Sequence, residues 1–372
     1  MPWVFGFLSV LLRPAATPEA RTFLRDHQAR RCGLPAGLIR PSRYGRITLV
    51  STMKDEGPYL LDWLCWHLLV GVSDFLVFTN DCSDGTTELL DALAAAGVLI
   101  HHDNPDDGRQ SPHPRALSQA RGHPLVQLSD WLMVLDADEY VVPRPPLRDL
   151  DGLIDAITGA GAQEMLITWR FFGSGGRLRY APLPAFLRFQ RAAADDHLAG
   201  YGFKTLFANT GALRMQIHHP NLYREAERAG VVRRMVNGSG APIDGARLKW
   251  KHPPETHGYD LAQVNHYALR SVEEFLLRQM RGDAIGRNDR HDGRYFRKHD
   301  RNEIHDTTAR DRAPEVAVLR ARLMALPGVA EAQALVSARM AARLERLRAS
   351  PDYRNRVAQI MGTPADPLRP GR

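Results

Sequence analysis

Short apolar runs alternate with longer segments of helical character through the first half of the chain. Runs rich in β-branched and aromatic residues predict strands, and segments that begin near Pro and end at Gly predict helices. The expected strands are residues 47–53, 75–79, 98–100, 131–135, 165–170, 203–207 and 215–219, and the expected helices are residues 59–70, 87–96, 115–122, 150–160 and 275–281. This alternation predicts an α/β fold with a mostly parallel sheet and helices on both faces.

The pattern changes at both ends of this region. Residues 1–45 show no clear period after an apolar opening, so we expect an N-terminal extension there. The α/β domain is expected over residues 46–270. Residues 271–372 are expected to form a helical C-terminal region, because they open with a capping-box pattern from Ser271 to Glu274 and continue with apolar residues at helical spacing.

The composition is that of an ordinary globular protein. Of the 372 residues, 44% are hydrophobic and 24% are charged. The net charge of +7 comes mostly from arginine, since lysine occurs at five positions only. Two explanations stay open: a coding bias towards arginine, and a basic face that attracts phosphates or an anionic membrane surface. No basic block is interleaved with aromatic residues, so a nucleic-acid partner is not expected.

The cysteines and residues 1–12 indicate the cellular compartment of the protein. Cys32, Cys65 and Cys82 form neither a CxxC pair nor a zinc-binding spacing, which is typical of a reducing compartment. Residues 1–12 are apolar but too short to span a bilayer, and they lack the basic start and cleavage site of a signal peptide. We therefore expect a cytoplasmic protein without a transmembrane helix. Peripheral contact with the inner face of the membrane stays open.

The stretch from Asp130 to Tyr140 contains the main candidate chemistry. Five apolar residues in a row predict a strand that is buried on both faces, and the strand ends in Asp136, Asp138 and Glu139. In an open α/β sheet, ligands lie at the carboxyl ends of the strands. Two carboxylates at such an end suit Mg²⁺ or Mn²⁺, which bind through one or two carboxylates together with substrate phosphates.

Three such strand ends carry motifs that resemble those of the family 2 glycosyltransferases. The motifs are Lys54-Asp55-Glu56-Gly57-Pro58-Tyr59-Leu60-Leu61-Asp62-Trp63, Asn80-Asp81-Cys82-Ser83-Asp84-Gly85-Thr86 and Leu135-Asp136-Ala137-Asp138-Glu139. This KDEG/DADE branch is similar to the family 92 glycosyltransferases, here through Trp169-Arg170-Phe171-Phe172-Gly173-Ser174-Gly175-Gly176 and Asn265-His266-Tyr267. The resemblance covers residues 46–282. It implies a GT-A-like fold, which is a Rossmann-like, mostly parallel sheet.

The resemblance also implies a metal-dependent enzyme that moves a sugar from a nucleotide-sugar, most simply a UDP-sugar, to a hydroxyl acceptor such as a carbohydrate. Glu56 and Asp81 would contact the base and ribose, and Thr52 would line the same pocket. Asp136 and Asp138 would hold the metal on the donor diphosphate, where a Lewis acid stabilises the leaving group. Synthesis of a surface polysaccharide is the expected setting.

Further residues have two readings each. Lys204 either pairs with the diphosphate or reaches solvent from a strand edge. Trp169 is expected in the core or as a platform for the acceptor, beside the flexible turn with Gly173 and Ser174. That turn is not a phosphate-binding fingerprint, because no GxGxxG follows the first strand.

The acceptor hydroxyl and the metal need additional groups. An inverting enzyme would need a carboxylate base, for which Asp195 and Asp196 are the nearest candidates, whereas a retaining enzyme would need none. His266 resembles the late histidine that reaches the metal in many GT-A enzymes, and imidazole suits Mn²⁺ better than Mg²⁺. His218, His219, His252 and His257 stay open as substitutes.

Two other functions remain as alternatives. A nucleotidyltransferase also uses a Rossmann-like sheet and acidic metal ligands, but it usually has a Gly-rich basic loop after the first strand, where this chain has Lys54-Asp55-Glu56. A non-catalytic module that binds a carbohydrate or a partner on the same fold is the second alternative. The carboxylates at all three strand ends argue against it.

Overall fold

The computed structural model describes residues 17–106, 108–197, 201–244, 251, 256–281 and 292–362. The helices in these ranges are α1 Pro18–Arg31, α2 Gly57–Leu69, α3 Thr86–Ala95, α4 Pro112–Gly122, α5 Pro124–Gln127, α6 Leu150–Gly159, α7 Ala185–Arg188, α8 Arg224–Arg228, α9 Val272–Arg281, α10 Gly293–His299, α11 Ala313–Met324, α12 Val329–Ala349 and α13 Tyr353–Met361.

The strands in the same ranges are β1 Ile47–Met53, β2 Asp74–Thr79, β3 Ile100–Asp103, β4 Trp131–Val134, β5 Glu139–Pro143, β6 Glu164–Phe171, β7 Arg191–Ala192, β8 Phe203–Ala208, β9 Leu213–Arg214, β10 Asn221–Leu222, β11 Met235–Asn237, β12 Pro242–Ile243, β13 Ala262–His266 and β14 Ile304–His305.

The main sheet has the strand order β12-β11-β6-β8-β4-β1-β2-β3, and β13 joins β6 to β5. Strands β3, β2, β1 and β4 run parallel, whereas β8 is antiparallel to both β4 and β6. Helices α2 and α3 connect the parallel strands β1, β2 and β3 in turn. The expected α/β fold with a mostly parallel sheet and a helical C-terminal region is therefore confirmed.

The strand register brings three chain segments to one edge of the sheet. Met53 pairs with Thr79 and Val50 pairs with Val134, so β1, β2 and β4 end close together. Strand β13 then places His266 opposite Glu139 of β5. Because the polar segments predicted to carry chemistry follow these strand ends, the topology gathers them at a single edge.

Helices α11 and α12 complete the same apolar core as the sheet. Leu319, Leu323 and Val336 are buried together with the side chains of β1 and α2. Val336 lies against Gly57 and Gly85, where an added Cβ atom would come within 3.0 Å and 2.8 Å of its Cγ2 atom. The C-terminal helices therefore support the two loops that follow β1 and β2.

Several local predictions differ from the structure. Residues 215–219 were expected as a strand and this is wrong, because the Thr205 hydroxyl donates to the carbonyl of His218 and the His218 ring contacts the carbonyl of Phe203 in place of a strand ladder. Helix α1 lies in the region expected to be an irregular extension. The prediction for residues 1–12 lies outside the described residues. None of the described helices is long and apolar enough to cross a membrane.

Candidate active site

The turn after β4 is fixed by hydrogen bonds from within the core. The indole N–H of Trp63 donates to the carbonyl oxygens of Asp136 and Glu139, at 3.1 Å and 3.0 Å. The backbone N–H of Asp136 donates to the Glu139 carboxylate at 2.8 Å. Since Trp63 is fully buried in the largely buried helix α2, the strand-end carboxylates stand on a rigid support.

Lys204 on β8 neutralises part of this acidic turn. Its Nζ atom lies 3.2 Å from Asp136 and 3.1 Å from Glu139, and its side chain is fully buried. Burial opposes the charge on Lys204, but the two carboxylates outweigh it and raise its pKa. Burial also raises the pKa of Glu139 to about 7, against the opposing effect of Lys204. Strand β8 lies between β4 and β6, so the reading of Lys204 at a sheet edge is wrong.

Asp138 lies between two side chains from later in the chain. Its Oδ2 atom accepts a hydrogen bond from Arg278 Nη1 at 2.8 Å and lies 3.7 Å from His266 Nε2. Burial opposes ionisation of Asp138, but Arg278 and His266 overcome it and hold its pKa well below its usual value. His266 therefore lies beside Asp138, as the predicted metal site requires, while its role as a metal ligand stays a prediction.

Glu56, predicted to contact the nucleotide, is held by Arg270. The Arg270 guanidinium lies 3.1 Å from the Glu56 carboxylate and 3.3 Å from the centre of the Tyr59 ring. It also contacts the carbonyl of Ala137 at 3.4 Å, within the turn that carries the paired aspartates. Arg270 has a φ of 57°, a left-handed conformation that non-glycine residues seldom adopt. Backbone strain of this kind often accompanies functional sites.

The loop after β2 has one exposed and one structural carboxylate. Asp81 is exposed with a φ of 47°, so its carboxylate is accessible to a ligand. Asp84 is buried and accepts hydrogen bonds from the backbone N–H groups of Gly57 and Thr86, at 3.0 Å and 2.9 Å. Its role is therefore to connect the loops after β1 and β2.

Buried polar atoms without a partner in the described structure lie along this edge. They include Ser51 Oγ, Thr52 Oγ1, Asn80 Oδ1, His113 Nε2, Glu139 Oε1 and His266 Nδ1. Unpaired buried polar groups are costly and rare in proteins. These atoms lie near the ends of β1, β2, β4 and β13, where a polar ligand would give them partners.

The residues predicted to bind the acceptor lie near His266. Trp169 is buried with its ring 4.8 Å from that of His266. An added Cβ atom on Gly173 would lie 2.4 Å from the carbonyl oxygen of Arg301, and the N–H of Ser174 donates to Asp300 at 2.6 Å. The turn with Gly173 and Ser174 is thus covered by the segment after α10.

The candidate bases lie in the loop after β7. Asp195 is largely exposed and pairs with Arg170 at 2.7 Å, and Asp196 is also exposed. Their loop follows residues that contact Phe171, whose ring lies 4.8 Å from that of His266. The structure therefore joins this loop to the His266 side of the site, and the role of either aspartate as a base stays a prediction.

A divalent ion fits the donor chemistry of the strand end. Asp136 and Asp138 supply carboxylates, the Asp136 side chain is 39% exposed, and His266 adds an imidazole beside Asp138. In the described ranges no three His, Cys, Asp or Glu side chains are close enough to hold a metal by themselves. A site with one or two carboxylates would complete the shell of the ion with water molecules and substrate phosphates, which is the usual arrangement for Mg²⁺. In the structure, Arg278 donates a hydrogen bond to one oxygen of this set, Asp138 Oδ2.

The site contains residues that the sequence analysis missed. Arg270 and Arg278 come from the segment around α9, and His113 comes from the start of α4, where Asp136 is among the charges that act on it. A signal was present for Arg278, because it follows the apolar residue Phe275 by one helical turn, and Phe275 is buried. A cation at such a position predicts a buried anionic partner.

No protein-family model and no curated protein matches the chain. Similar solved structures include S. aureus TarS in complex with UDP, with 13% identity, 44% of this chain and 46% of that chain covered, and a TM-score of 0.28. A putative glucose-1-phosphate thymidylyltransferase from Bacillus anthracis has 10% identity over 52% of this chain and 86% of its own, with a TM-score of 0.28. Glucosyl-3-phosphoglycerate synthase from Mycobacterium tuberculosis, in complex with Mn²⁺, UDP and glucosyl-3-phosphoglycerate, has 13% identity over 42% and 50%, with a TM-score of 0.20. The chain thus spans less than half the length of that TarS chain.

Proposed function

We propose that the chain is a metal-dependent glycosyltransferase that moves a sugar from a UDP-sugar or a related nucleotide-sugar to a hydroxyl of a carbohydrate or another acceptor. The observation that carries this proposal is the edge of the sheet at β1, β2 and β4. Exposed and buried carboxylates, buried cations and unpaired polar atoms meet there on rigid elements. A nucleoside diphosphate bound with a cation would supply partners for the exposed carboxylates and for the polar atoms that have none in the described structure.

The acidic turn would bind the metal and the diphosphate. Asp138 and Asp136 would hold the ion, and His266 would complete its protein ligands. A bound divalent cation supplies a Lewis acid that stabilises the departing diphosphate, worth several kcal/mol. Lys204 holds Asp136 in place and keeps the charge of the turn balanced, so it acts on the donor only through the carboxylates.

The nucleoside would lie over the ends of β1 and β2. Thr52 has a buried hydroxyl without a partner in the described structure, and Asp81 has an exposed carboxylate at the next strand end. A carboxylate suits the ribose hydroxyls, which are donors. Glu56 would shape this pocket through its pair with Arg270.

The transfer step requires one bond to break and one to form. The bond between the anomeric carbon and the phosphate oxygen breaks, and the electron pair stays on the oxygen of the nucleoside diphosphate. The acceptor oxygen bonds to the anomeric carbon, and its proton passes to a base. Asp195 or Asp196 would take that proton in an inverting enzyme, which for Asp195 requires release from Arg170.

The test is the thermal stability of the full chain with UDP, with Mn²⁺, and with both. A ligand present at a hundred times its dissociation constant adds about 2.7 kcal/mol to the stability. We expect this gain with UDP and Mn²⁺ together and a much smaller one with UDP and EDTA. Equal stabilisation in the presence of EDTA would exclude the metal role, and the absence of any effect from UDP, GDP, dTDP and CDP would exclude a nucleotide-sugar donor.

A further inference from the structure

We propose that Arg278 is a ligand of the donor diphosphate and that it rests on Asp138 until a metal ion replaces it there. This inference depends on the proposed function, because it needs a diphosphate in the site. In this proposal Arg278 binds either Asp138 or the diphosphate, and Asp138 binds either Arg278 or the metal ion. The exchange would couple metal binding to nucleotide binding.

The first step of the argument is competition at Asp138. Arg278 donates from one nitrogen, Nη1, to Asp138 Oδ2 and to the carbonyl of Ala268, at 2.8 Å in both cases. Asp138 is buried, so its carboxylate lies in a medium where charge repulsion is strong. A guanidinium and a divalent ion therefore compete for that oxygen, and a metal ion that binds Oδ2 would displace Arg278.

The second step concerns where the displaced guanidinium goes. The Arg278 side chain is three-quarters buried, and a cation in such surroundings that loses its carboxylate is stabilised by another anion. Arg278 is one of three arginines that line a cavity of about 30 Å³ beside the site, together with Arg270 and Arg343. That volume holds a water molecule but not a diphosphate. A diphosphate that enters this cavity therefore needs movement of a side chain that lines it.

Arg278 is the arginine that is able to move. Arg270 is held by Glu56 and the Tyr59 ring, and Arg343 is held by Asp55 at 2.7 Å and by Ser83 at 2.6 Å. The partner of Arg278 is instead the proposed metal ligand. Its side chain is 24% exposed, against 8% for Arg270 and 20% for Arg343, so exposure distinguishes it from Arg270 and the identity of its partner distinguishes it from Arg343.

The helix that carries Arg278 is fixed at its start, so the exchange needs only a side-chain movement. Glu274 forms a buried pair with Arg188 at 2.7 Å and closes the capping box with Ser271. Glu273 accepts from Arg348 of α12 at 2.7 Å and 2.8 Å. An arginine on such an anchored helix presents a planar fork that binds phosphate oxygens in pairs.

The experiment measures Mn²⁺ binding to the full chain by electron paramagnetic resonance, with and without UDP. In the wild type, Mn²⁺ alone should bind weakly and UDP should strengthen it by about tenfold or more, which lies in the usual range for coupled ligands. Arg278→Met should bind Mn²⁺ alone about tenfold more tightly, because Asp138 is then available, and UDP should strengthen binding by less than it does in the wild type, because only the direct contact of the diphosphate with the ion remains. Arg278→Lys, which keeps the charge, should bind Mn²⁺ alone as weakly as the wild type.

Arg343→Met is the matched control, because it removes a cavity-lining arginine that does not touch Asp138. It should leave the affinity for Mn²⁺ alone unchanged. Circular dichroism and melting establish that each variant is folded. If the wild type binds UDP with Mn²⁺ and Arg278→Met shows the same affinities and the same coupling, the inference is wrong while the proposed function stands. If no nucleoside diphosphate binds to the wild type under any condition, both fail.

Discussion

The Nζ atom of Lys204 lies 3.1 Å from the carboxylate of Glu139, and neither side chain is exposed to solvent. A buried pair of this kind is destabilised strongly when one partner is removed, because the other charge is left without compensation. Lys204→Met should therefore lower the free energy of unfolding by about 3–5 kcal/mol. Urea unfolding measures this loss.

The double variant Lys204→Met with Glu139→Gln is the control for that prediction. It removes both charges of the pair, so it should recover a large part of the lost stability. A single variant within about 1 kcal/mol of the wild type would show that the pair does not stabilise the turn.

Asp138→Asn should abolish most sugar transfer while the fold is retained. Asparagine keeps the shape and still accepts a hydrogen bond from Arg278, but it lacks the charge that a metal requires. We expect the rate to fall by about two orders of magnitude, or roughly 3 kcal/mol of barrier. Turnover of a UDP-sugar to UDP measures the effect, and near-normal turnover would show that Asp138 serves only the turn.

Gly85→Ala tests the contact between α12 and the loop after β2. Gly85 has a φ of 99°, and an added Cβ atom would lie 2.8 Å from Val336 Cγ2 and 3.2 Å from the Val336 backbone. Strain and overpacking together should cost about 3 kcal/mol. Gly175→Ala is the matched control, because its φ of 59° is also positive and nothing lies within 4 Å of the added atom. That variant should cost about 1 kcal/mol, and equal losses in the two would show that α12 does not press on Gly85.

The burial of Asp62 predicts that the free energy of unfolding depends on pH. Burial raises its pKa from 3.8 to about 6, against the opposing charge of Arg320 at 3.2 Å. The native state then holds the proton more tightly than the unfolded chain. The stability from this group is present below pH 3.8 and is lost as the pH rises through about 6.

Asp62→Asn should remove this dependence. The difference in unfolding free energy between wild type and variant should change by about 2–3 kcal/mol between pH 4 and 7, in the direction of a relatively more stable variant at high pH. Guanidinium unfolding at several pH values measures it. Parallel curves for the two proteins would show that Asp62 titrates in the native state as it does in the unfolded chain.

The apolar runs were sufficient to locate most of the sheet. Strands β1, β2, β4, β6 and β8 were all predicted, because each is a short run of residues that is buried on both faces. Strand β13 was missed for a physical reason. Gln263 and Asn265 alternate with its apolar residues, and both are buried through hydrogen bonds to partners such as Arg170 and Tyr267. From the sequence alone, a polar residue with a buried hydrogen-bond partner cannot be distinguished from a loop residue.

The candidate site was predictable only where its residues follow strands. Asp136, Asp138 and Glu56 stand directly after strand ends, so the topology alone brings them together. Arg278 and Arg270 reach the site from the segment around α9, and their pairs with Asp138 and Glu56 join residues 140 and 214 positions apart. Such a pair leaves no local pattern in the sequence, because it depends on how α9 packs against the sheet.

The contacts of Val336 and Arg343 with the loops after β1 and β2 have a consequence for biosynthesis. Arg343 reaches Asp55 across 288 positions of the chain. Chains emerge from the ribosome from the N-terminus onwards, and contacts of high sequence separation form late. The sheet edge can therefore form early in translation, but its loops gain their final support only after α12 has been synthesised. A chain stalled before that helix would carry the acidic residues of the site without the scaffold that orders them.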